Sequence, residues 1–126
     1  AIAIAKYLKS CDKVEWVDYP DLEDAKYNSL AKKYLPKGSC GVMAFSVKGG
    51  REKAVEFMDS LKLITIVTHV ADARTCLLHP ASHTHRQLTD EQLKESGVAP
   101  DLIRLSVGLE SVDDLIDDLK QALEKI

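Results

Sequence analysis

Apolar residues recur at helical spacing in several stretches of the chain. The most regular stripe follows Ser111, a favourable N-cap residue, and the acidic residues of the next turn suit the helix dipole. Its apolar positions are Val112, Leu115, Ile116, Leu119, Ala122, Leu123 and Ile126. The pattern therefore predicts a closing helix that is capped by Ser111 and buries one face.

Weaker stripes predict four further helices. They cover the opening residues and then residues 27–34, 54–61 and 89–97. The apolar face of the 27–34 helix consists of Tyr27, Leu30, Ala31 and Tyr34. Thr89 and Gln92 have the spacing of a capping box, which predicts the start of the 89–97 helix.

Runs of β-branched and aromatic residues predict four strands. These runs lie at residues 14–17, 42–47, 63–67 and 102–107. Between residues 71 and 86 no period is visible, which predicts a long irregular loop of the kind that often carries function. Helices that alternate with a few strands predict an α+β fold, a two-layer sandwich of helices packed on a small, mainly antiparallel sheet.

Composition and charge narrow the class of protein. The chain has 126 residues, of which 45% are hydrophobic and 29% charged, an ordinary balance for one globular domain. With 17 Lys and Arg against 20 Asp and Glu, the net charge of −3 argues against a nucleic-acid partner. No run approaches the roughly 18 apolar residues of a membrane span, and we expect neither a membrane partner nor a secretory leader.

The three cysteines, Cys11, Cys40 and Cys76, stand alone at wide spacings. An odd number without a C-x-x-C pair argues against a disulfide framework or a thiolate zinc site. We interpret them as small buried apolar groups, and we expect a cytoplasmic protein because free thiols suit a reducing compartment.

The opening of the chain is unusual. Residues 1–5 already show a helical pattern but lack Met, a cap or a lead-in. We therefore expect the chain to be a fragment of a longer protein.

Three histidines lie close together in the predicted loop. His83 and His85 form an H-x-H pair that could present two imidazoles to one metal ion, and His79 lies nearby. No carboxylate or thiolate follows at a recognisable ligand spacing, so we predict loop histidines that bond to backbone, and no metal site. No phosphate-binding glycine motif or catalytic signature is present either.

Arg104 stands in the middle of a predicted strand between apolar neighbours. A guanidinium there must reach solvent or meet an anion, because a buried unpaired charge costs several kcal/mol or more. Its fork matches a carboxylate in bidentate fashion. The alternatives are a solvent-facing arginine or one that is paired with Asp72 or Glu110.

Four runs of sequence appear in the order found in one enzyme family. They are YLPKG at 34–38, FSVKGG at 45–50, HPASHTH at 79–85 and LIRLSVGLE at 102–110. Over essentially its whole length the chain resembles the C-terminal domain of the pyridoxal 5′-phosphate (PLP) enzymes of cysteine and methionine metabolism. The resemblance implies that residues 1–126 form a single C-terminal substrate domain of a fold-type I PLP-dependent transferase, without the large PLP-binding domain.

Within the family, the runs at 14–20, 34–38 and 86–88 resemble the O-acetylhomoserine sulfhydrylase branch, although cystathionine synthases and lyases share much of the pattern. This branch implies O-acetylhomoserine and sulfide as substrates, homocysteine as the product, and a homotetrameric parent enzyme.

The resemblance assigns substrate-binding roles to three residues. Arg104 matches the arginine that holds the substrate α-carboxylate. His69 falls where relatives more often have Ser or Asn beside that carboxylate, and Thr84 matches a threonine near the active-site entrance. Asp21 replaces a usual glycine, so we expect a locally different turn.

The resemblance assigns no catalytic residue to this chain. The family binds PLP through a lysine in an S-x-S/T-K segment of the preceding domain, and no such segment is present here. We therefore expect that the 126 residues alone neither bind PLP nor catalyse a reaction. The alternative is a free-standing regulatory module that binds an amino acid, with Arg104 as the anion anchor.

Overall fold

Five strands form one sheet in the computed structural model, which describes all residues 1–126. The strands are β1 (Val14–Asp18), β2 (Val42–Val47), β3 (Thr65–Ile66), β4 (Cys76–Leu78) and β5 (Ile103–Ser106). Their order across the sheet is β1-β2-β5-β4-β3. Every neighbouring pair is antiparallel except β3 and β4, which run parallel. The predicted, mainly antiparallel sheet is confirmed.

Five helices complete the fold, and three of them cover one face of the sheet. The helices are α1 (Ile2–Ser10), α2 (Asn28–Tyr34), α3 (Gly50–Asp59), α4 (Asp90–Glu95) and α5 (Val112–Leu123). The main core joins α1, α3 and α5 to the strands, and Phe45 of β2 meets Phe57 of α3 edge to face at 5.9 Å between ring centroids. This is the predicted two-layer α+β sandwich. None of the helices has the length and apolar content that a membrane crossing requires.

Strand β4 was not predicted. It lies inside the segment 71–86 that the sequence pattern assigns to a loop. Cys76, Leu77 and Leu78 are all buried, so the strand has no polar side to produce a period of two. A short buried strand therefore leaves no alternation in the sequence.

The predicted helix at 27–34 is present as α2, but most of its apolar face is exposed. Tyr27, Leu30 and Tyr34 are 56%, 49% and 67% exposed, and only Ala31 of that face is buried. The main core takes its helical residues from α1, α3 and α5, so this seven-residue helix lies outside it. The buried Asn28 attaches it by donating from Nδ2 to the Pro20 carbonyl at 3.0 Å.

The two predicted helix caps have different outcomes. Both reciprocal bonds of the capping box between Thr89 and Gln92 are present at α4. Ser111 occupies the N-cap position of α5, but its side chain makes no capping hydrogen bond. The acidic residues of the first turn, Asp113 and Asp114, are in place near the helix dipole.

A buried carboxylate fastens α5 to the segment before β3. Asp118 accepts hydrogen bonds from the backbone amides of Lys62, Leu63 and Ile64 at 2.8–2.9 Å. Gln121 also donates to it from Nε2 at 3.1 Å. These amides belong to no helix or strand, so Asp118 supplies the acceptors that regular structure does not, including one for the amide of the buried Ile64.

The cysteines are unpaired, as the spacing suggests, but their burial differs. Cys76 is buried in β4, Cys11 is half-buried and Cys40 is exposed. The interpretation of all three as buried apolar groups is therefore wrong for Cys40.

Candidate functional site

Arg104 lies on the sheet face opposite the helices. Its neighbours Ile103 and Leu105 are fully buried in the main core, and successive side chains of a strand point to opposite faces. Across the sheet, Arg104 is paired with Ala44 of β2 and Leu78 of β4. The guanidinium therefore starts from a central strand, on the face of the sheet that α1, α3 and α5 do not cover.

Backbone carbonyls hold one nitrogen of the guanidinium. Arg104 Nη2 donates to the carbonyls of Thr68 at 2.9 Å and His69 at 3.1 Å. Its Nε is buried and makes no hydrogen bond within the chain. A buried donor without an acceptor costs about 1 to 3 kcal/mol. Arg104 Nε is therefore a place where an acceptor from outside the chain would be stabilising.

No acid neutralises Arg104. Asp72 pairs with Arg74 at 3.3 Å, and Glu110 accepts hydrogen bonds from Thr75. The predicted alternatives, in which Arg104 pairs with Asp72 or Glu110, are therefore wrong. The positive charge of this guanidinium has no counterion within the chain.

The end of β5 fastens the segment that carries those carbonyls, residues 68–75. Ser106 Oγ accepts from the Ala71 amide at 3.1 Å, where Ala71 has a φ of 59°. Farther along, Thr75 Oγ1 accepts from the Gly108 amide at 2.8 Å, and the Leu109 amide donates to the Ala73 carbonyl at 2.9 Å. We name residues 68–75 the carbonyl segment.

Glu110 closes this arrangement as a two-point clamp. Its Oε1 accepts from the Thr75 amide and its Oε2 from the Thr75 hydroxyl, both at 2.7 Å. Burial acts to raise the pKa of Glu110, but the two hydrogen bonds from Thr75 outweigh it and lower the pKa. Glu110 is therefore ionised at neutral pH and accepts with both oxygens.

His69 contributes to the site through its backbone. Its carbonyl accepts from Arg104, whereas its imidazole Nδ1 lies 3.5 Å from Asp72 Oδ2 and the side chain is 66% exposed. The amide and guanidinium of Arg74, together with His69, lower the pKa of Asp72 to about 2. Asp72 is therefore ionised at neutral pH.

Thr84 is not brought to Arg104 by any contact in the structure. It is exposed, and its Oγ1 lies 2.8 Å from Nδ1 of the neighbouring His85. Of the three residues singled out from the sequence, the structure therefore joins Arg104 with His69 and leaves Thr84 separate. A substrate-binding role for Thr84 stays a prediction.

His79 is a structural histidine. It is fully buried, and its Nε2 lies 2.9 Å from the Pro100 carbonyl while its Nδ1 lies 2.7 Å from Ser82 Oγ. Because a carbonyl can only accept, Nε2 carries the hydrogen and Nδ1 accepts from the Ser82 hydroxyl. The ring thus ties the turn after β4 to the segment before β5.

Acidification is expected to destabilise the chain through His79. Burial lowers the pKa of His79, although its hydrogen bond to Pro100 acts in the opposite direction. The unfolded chain therefore takes up a proton at higher pH than the folded chain. The free energy of unfolding should fall from about pH 6.5 down to the lowered pKa, by at most about 1.4 kcal/mol per pH unit.

Urea denaturation of the wild-type chain and His79→Gln, at several pH values from about 7.5 to about 5.5, measures this effect. Glutamine keeps hydrogen-bonding capacity but does not titrate, so its pH slope should be shallower. The other three histidines are present in both proteins and cancel in the comparison. Equal slopes would contradict the assignment.

The chain offers neither a metal cluster nor an enclosed amine. No group of three His, Cys, Asp or Glu side chains could hold a metal ion. No lysine is buried, whereas a lysine that binds an aldehyde cofactor needs a desolvated environment that lowers its pKa. The residues present therefore do not fit PLP held through a lysine of this chain.

The five main cavities of the chain lie away from Arg104. The largest of these five has about 460 Å³ and lies between α1 and α5, where Tyr7 and Leu123 line it. None of the five main cavities is lined by Arg104, His69 or Thr84. The guanidinium thus lies outside all five of these cavities.

Sequence reasoning missed the residues that support Arg104. Ser106, Gly108 and Glu110 follow it within the LIRLSVGLE run, and each contacts the carbonyl segment or Thr75 at its end. The run itself was the signal. Its alternation explained the strand, but the partners of Ser106, Gly108 and Glu110 lie about 35 positions earlier in the chain.

Comparisons with known proteins agree with the fold. A sequence profile described as "Cys/Met metabolism PLP-dependent enzyme" matches residues 1–124. O-acetyl-L-homoserine sulfhydrylase of Leptospira meyeri is 44% identical over 100% of this chain and 29% of its own length. Homocysteine synthase of Schizosaccharomyces pombe is 48% identical over 98% of the chain and 29% of its own length. The chain therefore spans less than a third of these relatives.

A crystal structure gives the same result in three dimensions. A Campylobacter jejuni protein described as an O-acetylhomoserine (thiol)-lyase superposes with a TM-score of 0.91 and 39% sequence identity. The superposition covers 98% of this chain and 30% of that one. That protein carries a pyridoxyl-lysine adduct.

Proposed function

Because the chain belongs to the Cys/Met metabolism PLP-dependent enzyme family, we propose that it supplies the substrate-carboxylate site of an O-acetylhomoserine sulfhydrylase. The whole enzyme replaces the acetate of O-acetylhomoserine with sulfide and releases homocysteine. The names of the relatives support this substrate, and the match of the chain to under a third of their length supports a role as one domain. PLP supplies the reactive chemistry in this family. The residues that bind it belong to the remainder of the parent enzyme.

The unsatisfied guanidinium of Arg104 carries this role. It has no acid partner and its buried Nε has no acceptor, while its Nη2 is fixed by two carbonyls. A carboxylate satisfies both the charge and the missing acceptor, and charge-assisted bonds of this kind contribute about 1.5 to 3 kcal/mol. A substrate held by its carboxylate is also oriented for reaction, which can lower a barrier by several kcal/mol.

An assay of the full-length protein tests this function. With PLP, O-acetylhomoserine and sulfide it should release homocysteine and acetate in equal amounts. The methyl ester of O-acetylhomoserine, which lacks the negative charge, should react much more slowly than the free acid. Turnover of both compounds at the same rate would contradict a carboxylate site. If cysteine is added as a second thiol and cystathionine becomes the main product, the enzyme is a cystathionine synthase instead.

The 126-residue chain alone is expected to be inactive. It has no buried lysine, so it should show no visible absorbance from lysine-bound PLP after dialysis and no release of homocysteine. Absorbance spectroscopy and a sulfide-dependent thiol assay measure these two properties. The full-length protein, treated identically, is the positive control, and retained cofactor in the short chain would overturn the assignment.

The quaternary and cellular parts of the function are also proposals. We place the parent enzyme in the cytoplasm as a homotetramer. Light scattering on the purified full-length protein should give four times the mass of one chain, and a smaller mass would reject the tetramer. Fractionation of the source cells should place the enzyme with cytoplasmic markers.

A further inference from the structure

The carbonyls that hold Arg104 belong to a segment with little regular structure. Thr68 and His69 lie between β3 and β4 and are exposed, and no helix or strand of their own fixes their backbone. The position of the guanidinium therefore depends on what fastens this segment to the sheet.

Glu110 provides the strongest of these attachments. It accepts from both the amide and the hydroxyl of Thr75 at 2.7 Å, and Thr75 is fully buried. The same hydroxyl accepts from the Gly108 amide at 2.8 Å, so one side chain is joined to two points of the chain after β5. Bonds to an ionised carboxylate are about twice as strong as bonds between neutral groups.

The attachments reach Arg104 through a continuous path. From Thr75 the segment runs back to Ala71, whose amide donates to Ser106 Oγ. It continues to His69, whose carbonyl accepts from Cys76 Sγ at 3.4 Å and from Arg104 at 3.1 Å. One short stretch of chain, residues 104–110, therefore holds the carbonyl segment at three points. Arg104 holds its start, Ser106 its middle and Glu110 its end.

We propose that Glu110 is a positioning residue for substrate binding: by clamping Thr75 it fixes the carbonyl segment, and the segment fixes the guanidinium of Arg104 in the orientation that receives the substrate carboxylate. This role rests on the proposed function of Arg104. Glu110 itself touches neither substrate nor cofactor. Loss of the clamp should therefore weaken recognition of the carboxylate more than it slows the reaction of bound substrate.

The test compares four variants of the full-length holoenzyme. In Glu110→Gln, the glutamine oxygen can still accept from the Thr75 amide, but the Thr75 hydroxyl loses its carboxylate acceptor and the clamp loses its charge. Thr75→Val removes the hydroxyl at nearly constant shape, and Thr75→Ser keeps it. The control is Asp118→Asn, which removes a similar carboxylate clamp on backbone amides from α5, on the helical side of the sheet.

Steady-state kinetics with O-acetylhomoserine and with its methyl ester give the readout. Glu110→Gln and Thr75→Val should raise KM for the acid about tenfold or more, with a smaller change in kcat, and should reduce the preference for acid over ester by a similar factor. Thr75→Ser and Asp118→Asn should keep both values close to wild type. If Glu110→Gln does not fold, the pair Thr75→Val and Thr75→Ser decides the question alone.

The outcomes separate this role from the proposed function. A wild-type enzyme that does not prefer the acid over the ester overturns the carboxylate site itself, and the positioning role with it. If the wild type prefers the acid but Glu110→Gln and Thr75→Val keep the full preference, only the positioning role is overturned. A loss of active enzyme at unchanged KM and unchanged preference shows a purely structural clamp and also overturns it.

Discussion

Replacement of Arg104 by lysine in the full-length enzyme is expected to weaken productive binding of O-acetylhomoserine by about 2 to 5 kcal/mol, a loss of about 30-fold to several thousand-fold in kcat/KM. Lysine keeps the charge but not the planar fork. Lysine has a single nitrogen, so it cannot both bond the carbonyls of Thr68 and His69 and present a second nitrogen to the substrate carboxylate.

Arg86→Lys is the matched control, because Arg86 is exposed and makes no ion pair or hydrogen bond through its side chain. Steady-state kinetics of both variants with O-acetylhomoserine and its methyl ester measure the effect. The loss in Arg104→Lys should be confined to the acid. An unchanged preference for the acid in this variant would remove the basis for assigning the carboxylate to Arg104.

Replacement of Gly108 by alanine is expected to cost about 3 kcal/mol or more of folding free energy. A Cβ at this position would lie 2.4 Å from the Ala73 carbonyl oxygen and 2.5 Å from the Thr75 amide nitrogen. Both are backbone atoms, so no side-chain rotation relieves the overlap. The chain after β5 would have to move away from the carbonyl segment, and the Gly108–Thr75 hydrogen bond would break.

Urea denaturation of the 126-residue chain measures this cost as a shift in midpoint at constant slope. Gly41→Ala is the control, since its nearest contact would be the Val107 carbonyl oxygen at 3.1 Å, an overlap that a small movement removes. Gly41→Ala should therefore lose clearly less stability. Equal midpoints for Gly108→Ala and wild type would show that the two segments are not in close contact.

Much of the fold follows from periodicity in the sequence. The stripe of α5 and the alternation of β5 predict both elements because each has one buried and one polar side, so the pattern carries the period. The same logic fails for β4, whose three residues are all buried. It predicts helix α2, but it does not show that the apolar face of α2 stays exposed. Burial there depends on which other elements reach the residue, which no local pattern contains.

The candidate site divides in the same way. A charged residue in an apolar strand identifies Arg104 as a group that needs an anion, because burial of an unpaired charge is costly at any position in the chain. Its supports could not be predicted. They are backbone carbonyls at Thr68 and His69, which every residue type provides, and a carboxylate 35 positions from the threonine it clamps.

The two edge strands of the sheet, β1 and β3, are built in a way that limits aggregation of the newly made chain. An edge strand exposes unpaired amides and carbonyls that can recruit a strand from another molecule. At one edge β3 has only two residues, and at the other the pairing of β1 is interrupted by a bulge between Val14 and Trp16. Neither edge presents a long flat row of free groups, so growth of the sheet into intermolecular aggregates has no good template.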